Sequence, residues 1–485
     1  MDESILPTSE EVGIGVEKEQ GENALPLTVP SASKNTEEIP VLSSFQQTDQ
    51  IDIIGNDHVT TSPLVDEDSV PGHPLRKVIT VSGFGLASLV AGSNVAIKQL
   101  LLPLQISLLA PHTINTSFTL VATIGALAGF IAAPLTGAIS DRVITRWGRR
   151  RPCIAPGIVV AVLGLCGMAI ATTIPFLLVG EILAQIGIDI VLSAVTALIP
   201  DQVQIAQKQR NLISSLNGIG PNVGGVIALL LITTFTNTRI VAQGYFLLAL
   251  VSLVIVALFL PVPREPLAQD LKEKGLEGQA QQRSPFRMRE FFQPLQSREF
   301  SFVLLSRVLV YLAFTILGAY TLFYLRGVLH FSASEAAHGV TTFQLLSTAC
   351  LIVTAFLAGR LAQSIGRLKP FVIGGAILMA VGLFLIVAIH SWPALIVAAI
   401  LFGSGFGLYL GVDILLIFRV SRSEANRGMH VGIMYTAIFL PLIISPLIGG
   451  FVLNTFHNNF SLLFAVAASV SVLAALILFP LKTVK

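Results

Sequence analysis

Charge is what this sequence lacks. Only 12% of its 485 residues are Asp, Glu, Lys or Arg, while 53% are hydrophobic and the mean hydropathy is +0.78. That balance excludes an ordinary soluble domain, in which about a quarter of the residues are charged. Cysteine is scarce as well. Cys153, Cys166 and Cys350 all fall in apolar runs, with neither a zinc spacing nor the framework of a disulfide-rich secreted protein, so packing is their expected role. There is no Gly-x-x-x-x-Gly-Lys-Ser/Thr phosphate loop and no His-Glu-x-x-His metal helix, which leaves nucleotide-driven and metal-hydrolytic chemistry without a carrier. The expectation is a protein that is not an enzyme, with no metal, no cofactor and no nucleic-acid partner.

Long apolar runs take the place of charge. Several exceed 20 residues, enough to cross a hydrocarbon core of about 30 Å as helix. Twelve membrane helices are predicted. Six run over 78–104, 117–140, 153–173, 175–199, 211–235 and 240–261, and six more over 300–326, 335–361, 370–390, 393–418, 429–454 and 459–480. Pro261, Pro263 and Pro266 stop the sixth helix. The polar stretch 262–299 then reads as a cytoplasmic linker between an N-terminal bundle (76–261) and a C-terminal bundle (300–485). The expected fold class is an all-α membrane protein of twelve transmembrane helices in two six-helix bundles.

The formal net charge of +2 hides an asymmetry. Residues 1–75 carry 15 acidic and 2 basic side chains, so the remainder carries +15. This acidic, Ser/Thr/Pro-rich tail has too few large apolar clusters to offset its ordering entropy and is expected to be a disordered cytoplasmic extension. It lacks the basic start and short apolar core of a cleaved signal peptide. With the N-terminus in the cytoplasm, 24 basic residues fall on the inner side and only Arg239 and Arg326 on the outer side. That bias predicts both termini in the cytoplasm, with the plasma membrane as the expected location.

The two halves echo each other. Gly187-Ile188-Asp189-Ile190 in the fourth helix returns as Gly411-Val412-Asp413-Ile414 in the tenth. Gly220-Pro221-Asn222-Val223-Gly224-Gly225 in the fifth is matched by Ser445-Pro446-Leu447-Ile448-Gly449-Gly450 in the eleventh. Echoes at corresponding positions indicate an internal duplication of the kind found in secondary transporters.

Between the second and third helices stands Gly137-Ala138-Ile139-Ser140-Asp141-Arg142, followed by Gly148-Arg149-Arg150-Arg151-Pro152. This resembles the Gly-x-x-x-Asp-Arg…Gly-Arg-Arg signature of the major facilitator superfamily, and the resemblance extends over residues 78–480. It implies the two-bundle fold of that family and an alternating-access transporter, with Gly137, Asp141, Arg142, Gly148, Arg149 and Arg150 forming a gating loop. The longer form Ser-Asp-Arg-x-x-x-Arg-x-Gly-Arg-Arg-Arg-Pro is similar to the sucrose and glycoside–proton symporters. Those relatives also carry an aspartate in the fourth helix, where Asp189 lies. They follow it with Ala-Asn-Asn, where this chain has Val191-Leu192-Ser193. The Gly-Pro-x-x-Gly-Gly element of the fifth helix looks like a signature of proton-coupled drug exporters, but small residues and a proline at that spacing equally describe close helix packing.

Ionisable groups inside the spans are few and costly, each roughly 2.5–3.5 kcal/mol at mid-membrane. Lys98 lies in the first helix, Glu181 and Asp189 in the fourth, Arg307 in the seventh and Asp413 in the tenth, with Glu335 at the outer start of the eighth. The resembled fold lines its central cavity with the first, fourth, seventh and tenth helices. Glu181, Gln185, Asp189 and Ser193 follow one another at i+4, so they share one helix face. That stripe fits either a water-filled path or a helix–helix hydrogen-bond seam. Asp189 is near mid-span and is the leading proton-coupling candidate. Asn94, Lys98, Glu181, Gln185, Ser193, Arg307, Tyr311, Tyr409 and Asp413 are the cavity and solute-binding candidates, with Gln99, Gln105 and Gln344 as further polar partners and Phe314 as a second stacking ring. Asp413 lies nearer the inner end of its span, where Arg419 or Arg422 offers it a partner.

The functional expectation is a monomeric secondary transporter whose partners are a small organic solute, protons and the bilayer. Its proton gradient drives symport, with a sugar favoured as the solute. The alternatives are a proton-driven exporter of drugs or metabolites, and a non-transporting membrane receptor or assembly factor.

Overall fold

A computed structural model describes residues 92–142, 151–201, 207–235, 240–259, 297–420, 433–434 and 438–479. All of them belong to one compact unit, Val65–Lys485. The acidic tail, the start of the first helix, most of the linker, and Gly148, Arg149 and Arg150 lie outside the described residues. Asp141 and Arg142 are described as helical backbone only.

Among the described residues twelve helices follow one another. Helix α1 is described over 92–109 and contains a π turn, Ile97–Leu101, followed by α-helix Leu102–Leu109. Next come α2 (Ile114–Arg142), α3 (Arg151–Ile170), α4 (Ile174–Asp201), α5 (Gln207–Phe235) and α6 (Ile240–Phe259). The second half consists of α7 (Arg298–Gly327), α8 (Ala333–Ile365), α9 (Lys369–Ala388), α10 (Trp392–Val420), α11 (Phe439–Thr455) and α12 (Phe460–Leu478). Among the described residues seven segments are individually long and apolar enough to span a bilayer, accompanied by four shorter apolar ones. In lipid every backbone polar group must be satisfied within the chain, and these helices do so internally.

Local chemistry sets the ends. Ser332 and Glu335 form a reciprocal capping box at the start of α8: the Glu335 N–H donates to Ser332 Oγ (3.3 Å) and the Ser332 N–H donates to Glu335 Oε2 (2.8 Å). Glu335 is therefore a cap. Gly366 closes the same helix at φ 69°, a left-handed position that suits glycine. The π turn of α1 has a cause in Pro103, which brings no N–H for the Gln99 carbonyl and crowds it with its ring. The Leu102 N–H bonds back to Ile97 O instead, across five residues.

Packing repeats the duplication. Helix α3 packs on α4 and α6, and α2 on α4; correspondingly α9 packs on α10 and α12, and α8 on α10. The halves meet through α2 against α11 and α5 against α8, again related pairs. Exposed Leu127, Ile131 and Leu135 on α2, with Phe451 on α11, form outward apolar faces suited to lipid.

We call the end carrying the α1–α2 turn distal and the opposite end proximal. Distally, the Asn115 amide donates to Asn458 Oδ1 (2.6 Å), Asn454 donates to Thr116 Oγ1 (3.3 Å), Thr119 donates to Pro446 O (3.0 Å), and Arg326 donates to Ser107. Phe118 of α2 stands edge-on to Tyr320 and Phe323 of α7, at 5.4 and 5.1 Å. All these contacts join one half to the other, so the distal side is shut.

Candidate functional site: a central cavity and its buried charges

Below the distal contacts lies a cavity of about 270 Å³ between the halves. Helices α1, α2 and α5 wall it on one side and α7, α10 and α11 on the other. Its polar lining comes from Asn94, Lys98, Gln99, Asn222, Thr315 and Ser445, and its rings from Phe118, Tyr311, Phe314 and Phe406. Lys98 and Gln99 both sit on the π turn of α1, an irregularity common at functional sites. Gly318 of α7 leaves room for this turn: a Cβ there would come within 2.9 Å of Gln99 Nε2.

Of the sequence candidates, Asn94, Lys98 and Tyr311 line the cavity, as do Gln99 and Phe314. Glu181, Gln185, Asp189, Ser193, Arg307, Tyr409 and Asp413 are not among its lining residues. Phe118, Asn222, Thr315, Phe406 and Ser445 were not anticipated. Asn222 and Ser445 stand beside the two prolines of the repeated helix-five element, the one sequence signal able to single them out.

The polar stripe of α4 faces α2 instead. Glu181 abuts Gly125, where an added Cβ would lie 2.7 Å from Glu181 Cγ. Asp189 and Gln185 abut Gly129, and the Gln185 amide donates to Asp189 Oδ2 (2.7 Å). Ser193 Oγ donates to Ala133 O (3.2 Å). Small residues every fourth position on α2 thus receive polar residues every fourth position on α4, a helix–helix seam of the kind small residues permit in membranes. Gln185 and Asp189 are buried within it. The seam reaches the cavity at one point, where Lys98 Nζ lies 3.8 Å from Glu181 Oε1.

The second half holds a different arrangement. Arg307 of α7 forms an ion pair and hydrogen bond with Asp413 of α10, and Tyr409 OH donates to the other Asp413 oxygen (2.9 Å). Arg422 and the Arg419 side chain, the partners the sequence offers to Asp413, lie outside the described residues. The Arg307 guanidinium also stands over the Tyr311 ring, 5.3 Å from its centre. Phe314 stacks on Phe406 at 4.3 Å, and Tyr311 meets Phe406 edge-on at 5.5 Å. An ion pair, neutralised and covered by rings, therefore braces the aromatic side of the cavity from behind. Gln105 and Gln344 do not reach the cavity: Gln105 donates to Met168 O (2.7 Å) and Gln344 to Thr348 Oγ1 (3.1 Å).

The Gly-Pro-x-x-Gly-Gly element has a packing explanation. A Cβ on Gly92 of α1 would collide with the Gly224 and Gly225 backbone of α5, and one on Gly225 would reach Val95 at 2.8 Å.

Comparison with known proteins agrees with this geometry. The sequence matches the profile of the Major Facilitator Superfamily over residues 81–340 and 303–485. A 67-residue segment is 40% identical to the sucrose transport protein SUT1 of Oryza sativa, in both the japonica and indica subspecies. It covers 13% of this chain and only 12% of the rice proteins' length. Among solved structures, the fold is similar to the nucleoside transporter NupG (TM-score 0.66, 14% identity, 83% of this chain and 98% of that one). It is also similar to the xylose transporter XylE from E. coli in a partially occluded inward-open conformation (TM-score 0.63, 16% identity, 84% and 98%). A D-xylose–proton symporter gives a TM-score of 0.64 at 16% identity, over 83% and 97%. At such identities these likenesses establish the fold alone. The profile match spans most of the chain, and with the twelve-helix fold and the cavity between its halves it gives one conclusion: this integral membrane protein belongs to the Major Facilitator Superfamily, as a secondary transporter and not an enzyme.

Proposed function

We propose that this protein is a proton-coupled symporter that takes up a small, sugar-sized organic solute by alternating access. The single observation that carries the reading is the join between cavity and seam. A polar and aromatic cavity touches, through Lys98, a file of buried carboxylates on α4. Intramembrane carboxylates in such files are the usual material of proton relays. Glu181 and Asp189 are the proton carriers in this account. Rings such as Tyr311 and Phe406 flank the neutral amides and hydroxyls in the way a polyhydroxylated solute needs.

A volume of about 270 Å³ lies just below the usual range of ligand pockets, about 300–1,000 Å³. This favours a solute of monosaccharide size over a bulky amphipath. Support for sugar also comes from similar proteins, a sucrose transport protein and a D-xylose–proton symporter. Packing of Gly224 and Gly225 on α1 gives the Gly-Pro-x-x-Gly-Gly element a role that does not require export. We assign the proximal end to the cytoplasm, with both termini there and the plasma membrane as the location, so the shut distal side faces outward. Asp141 and Arg142 are proposed to gate the proximal side.

The test is uptake of labelled pentoses, hexoses and their acids into proteoliposomes. An inward proton gradient should drive accumulation above the external concentration. Equal uptake with and without the gradient would reject proton coupling.

A further inference from the structure

We propose that the solute carries a single carboxylate, that is, it belongs to the sugar-acid class, and that Lys98 binds this group in exchange for Glu181. The inference rests on the symport reading above and deepens it.

Lys98 is the one Lys, Arg, Asp or Glu side chain among the described residues lining the cavity. Asn94, Gln99, Asn222, Thr315 and Ser445 supply the neutral donors and acceptors that hydroxyls need, and Lys98 adds a full positive charge that only an anionic group on the solute would pair with. Charge in a membrane interior is retained when it does work. The placement of the counterion is the second observation. Glu181 sits behind Lys98, away from the cavity, with its side chain 2% exposed against 16% for Lys98. The pair is held by attraction alone: the groups stand 3.8 Å apart and Glu181 Oε1 has no hydrogen-bond partner. An ion pair without a hydrogen bond across it is ready to be exchanged.

Among the described residues few charged or titratable groups face Glu181. Helix α1 presents Lys98, α4 presents Asp189 and α6 presents the buried Tyr245. The membrane-crossing part of α2, Ile114–Thr136, contains no ionisable residue, and α3 carries Cys166. Lys98 and Glu181 together are neutral. Entry of an anion beside them leaves one uncompensated negative charge in a weakly screening interior. A proton taken up by the Glu181 carboxylate removes that charge. Lys98 then pairs with the solute carboxylate while Glu181 stays neutral behind it, and the site ends as neutral as it began. When the opposite side opens, solute and proton leave together and the Lys98–Glu181 pair re-forms. One anion therefore moves with one proton and no net charge crosses the membrane.

This differs measurably from symport of a neutral sugar, which carries current. Wild-type proteoliposomes are challenged with D-glucuronate and D-galacturonate against D-glucose and D-galactose. Binding is read by thermal stabilisation, uptake by label, and charge movement by current on a supported membrane. The expected result is at least tenfold tighter binding of the acids, with uptake driven by a pH gradient and silent in current. Lys98→Gln should abolish the preference for the acids. Glu181→Gln, which mimics the protonated carboxylate, should bind them more tightly and without pH dependence while losing gradient-driven accumulation; it also serves if Lys98→Gln fails to fold. Equal or better binding of the neutral sugars, or uptake of the acids with inward positive current, overturns the carboxylate subsite and leaves symport standing. Binding of the acids with uptake indifferent to any proton gradient rejects the symport reading itself. Binding of neither class rejects the subsite.

Discussion

Arg307 and Asp413 are both buried, and each is tolerable only because of the other. Removing one member of a buried pair strands the second, at a cost of about 3–5 kcal/mol, whereas apolar replacement of both is often close to neutral. Arg307→Ala is therefore expected to lower the unfolding temperature in detergent sharply, and Arg307→Met combined with Asp413→Leu to recover most of the loss. A double variant no more stable than Arg307→Ala would show that the pair is not the brace described here. Asp189 is a different case. Its Oδ2 accepts from Gln185 and is shielded by α2 at Gly129, so Asn is close to isosteric and should preserve the fold. Asp189→Asn should abolish gradient-driven accumulation while sparing solute exchange across the membrane. Normal accumulation in that variant would make Asp189 a purely structural member of the seam.

Helices in this protein approach one another through small residues, and the two halves solve the same contact in opposite ways. In the first half, Gly125, Gly129 and Ala133 on α2 accept the polar stripe of α4. In the second, the glycines lie on the other partner: Gly403, Gly407 and Gly411 of α10 approach Ser347, Leu351 and Ala355 of α8. Gly129→Val would drive a branched side chain into Asp189 and Gln185. A loss of about 1–3 kcal/mol from overpacking is expected, together with loss of transport, measured by melting temperature and uptake. Unchanged melting would contradict the seam. Much of this layout was legible beforehand. Twelve apolar runs, the proline stops and the duplicated Asp-bearing pattern located the helices, because hydrophobic length is set by bilayer thickness. The i+4 spacing of Glu181, Gln185, Asp189 and Ser193 correctly put them on one face. Periodicity says which residues share a face but not which neighbour that face meets, so the choice between water path and seam stayed open. The matching small-residue register on α2 was visible in the sequence and would have decided it. The π turn at Lys98 was less accessible, since it depends on how Pro103 is accommodated within an otherwise ordinary apolar helix.

At the scale of the whole molecule, the structure is shut distally by contacts that are mostly neutral hydrogen bonds between the halves. His457 and Asn458 hold left-handed backbone conformations (φ 52° and 59°) in the turn that brings Asn458 to Asn115. Polar contacts of about 1 kcal/mol each are strong enough to bias a rocking equilibrium and weak enough to be broken in each cycle. Asn115→Ala with Asn454→Ala should shift the population toward a distally open state by roughly tenfold or more. A cysteine placed at cavity residue Ala122 should then react faster with an impermeant reagent added from outside; an unchanged rate would mean that these bonds do not hold the gate. What crosses with the solute can be read from the luminal pH of proteoliposomes, followed with a trapped indicator after a transported solute is added outside. Luminal acidification should accompany uptake and disappear in Asp189→Asn. Luminal alkalinisation, or solute uptake with no pH change, would rule out proton symport.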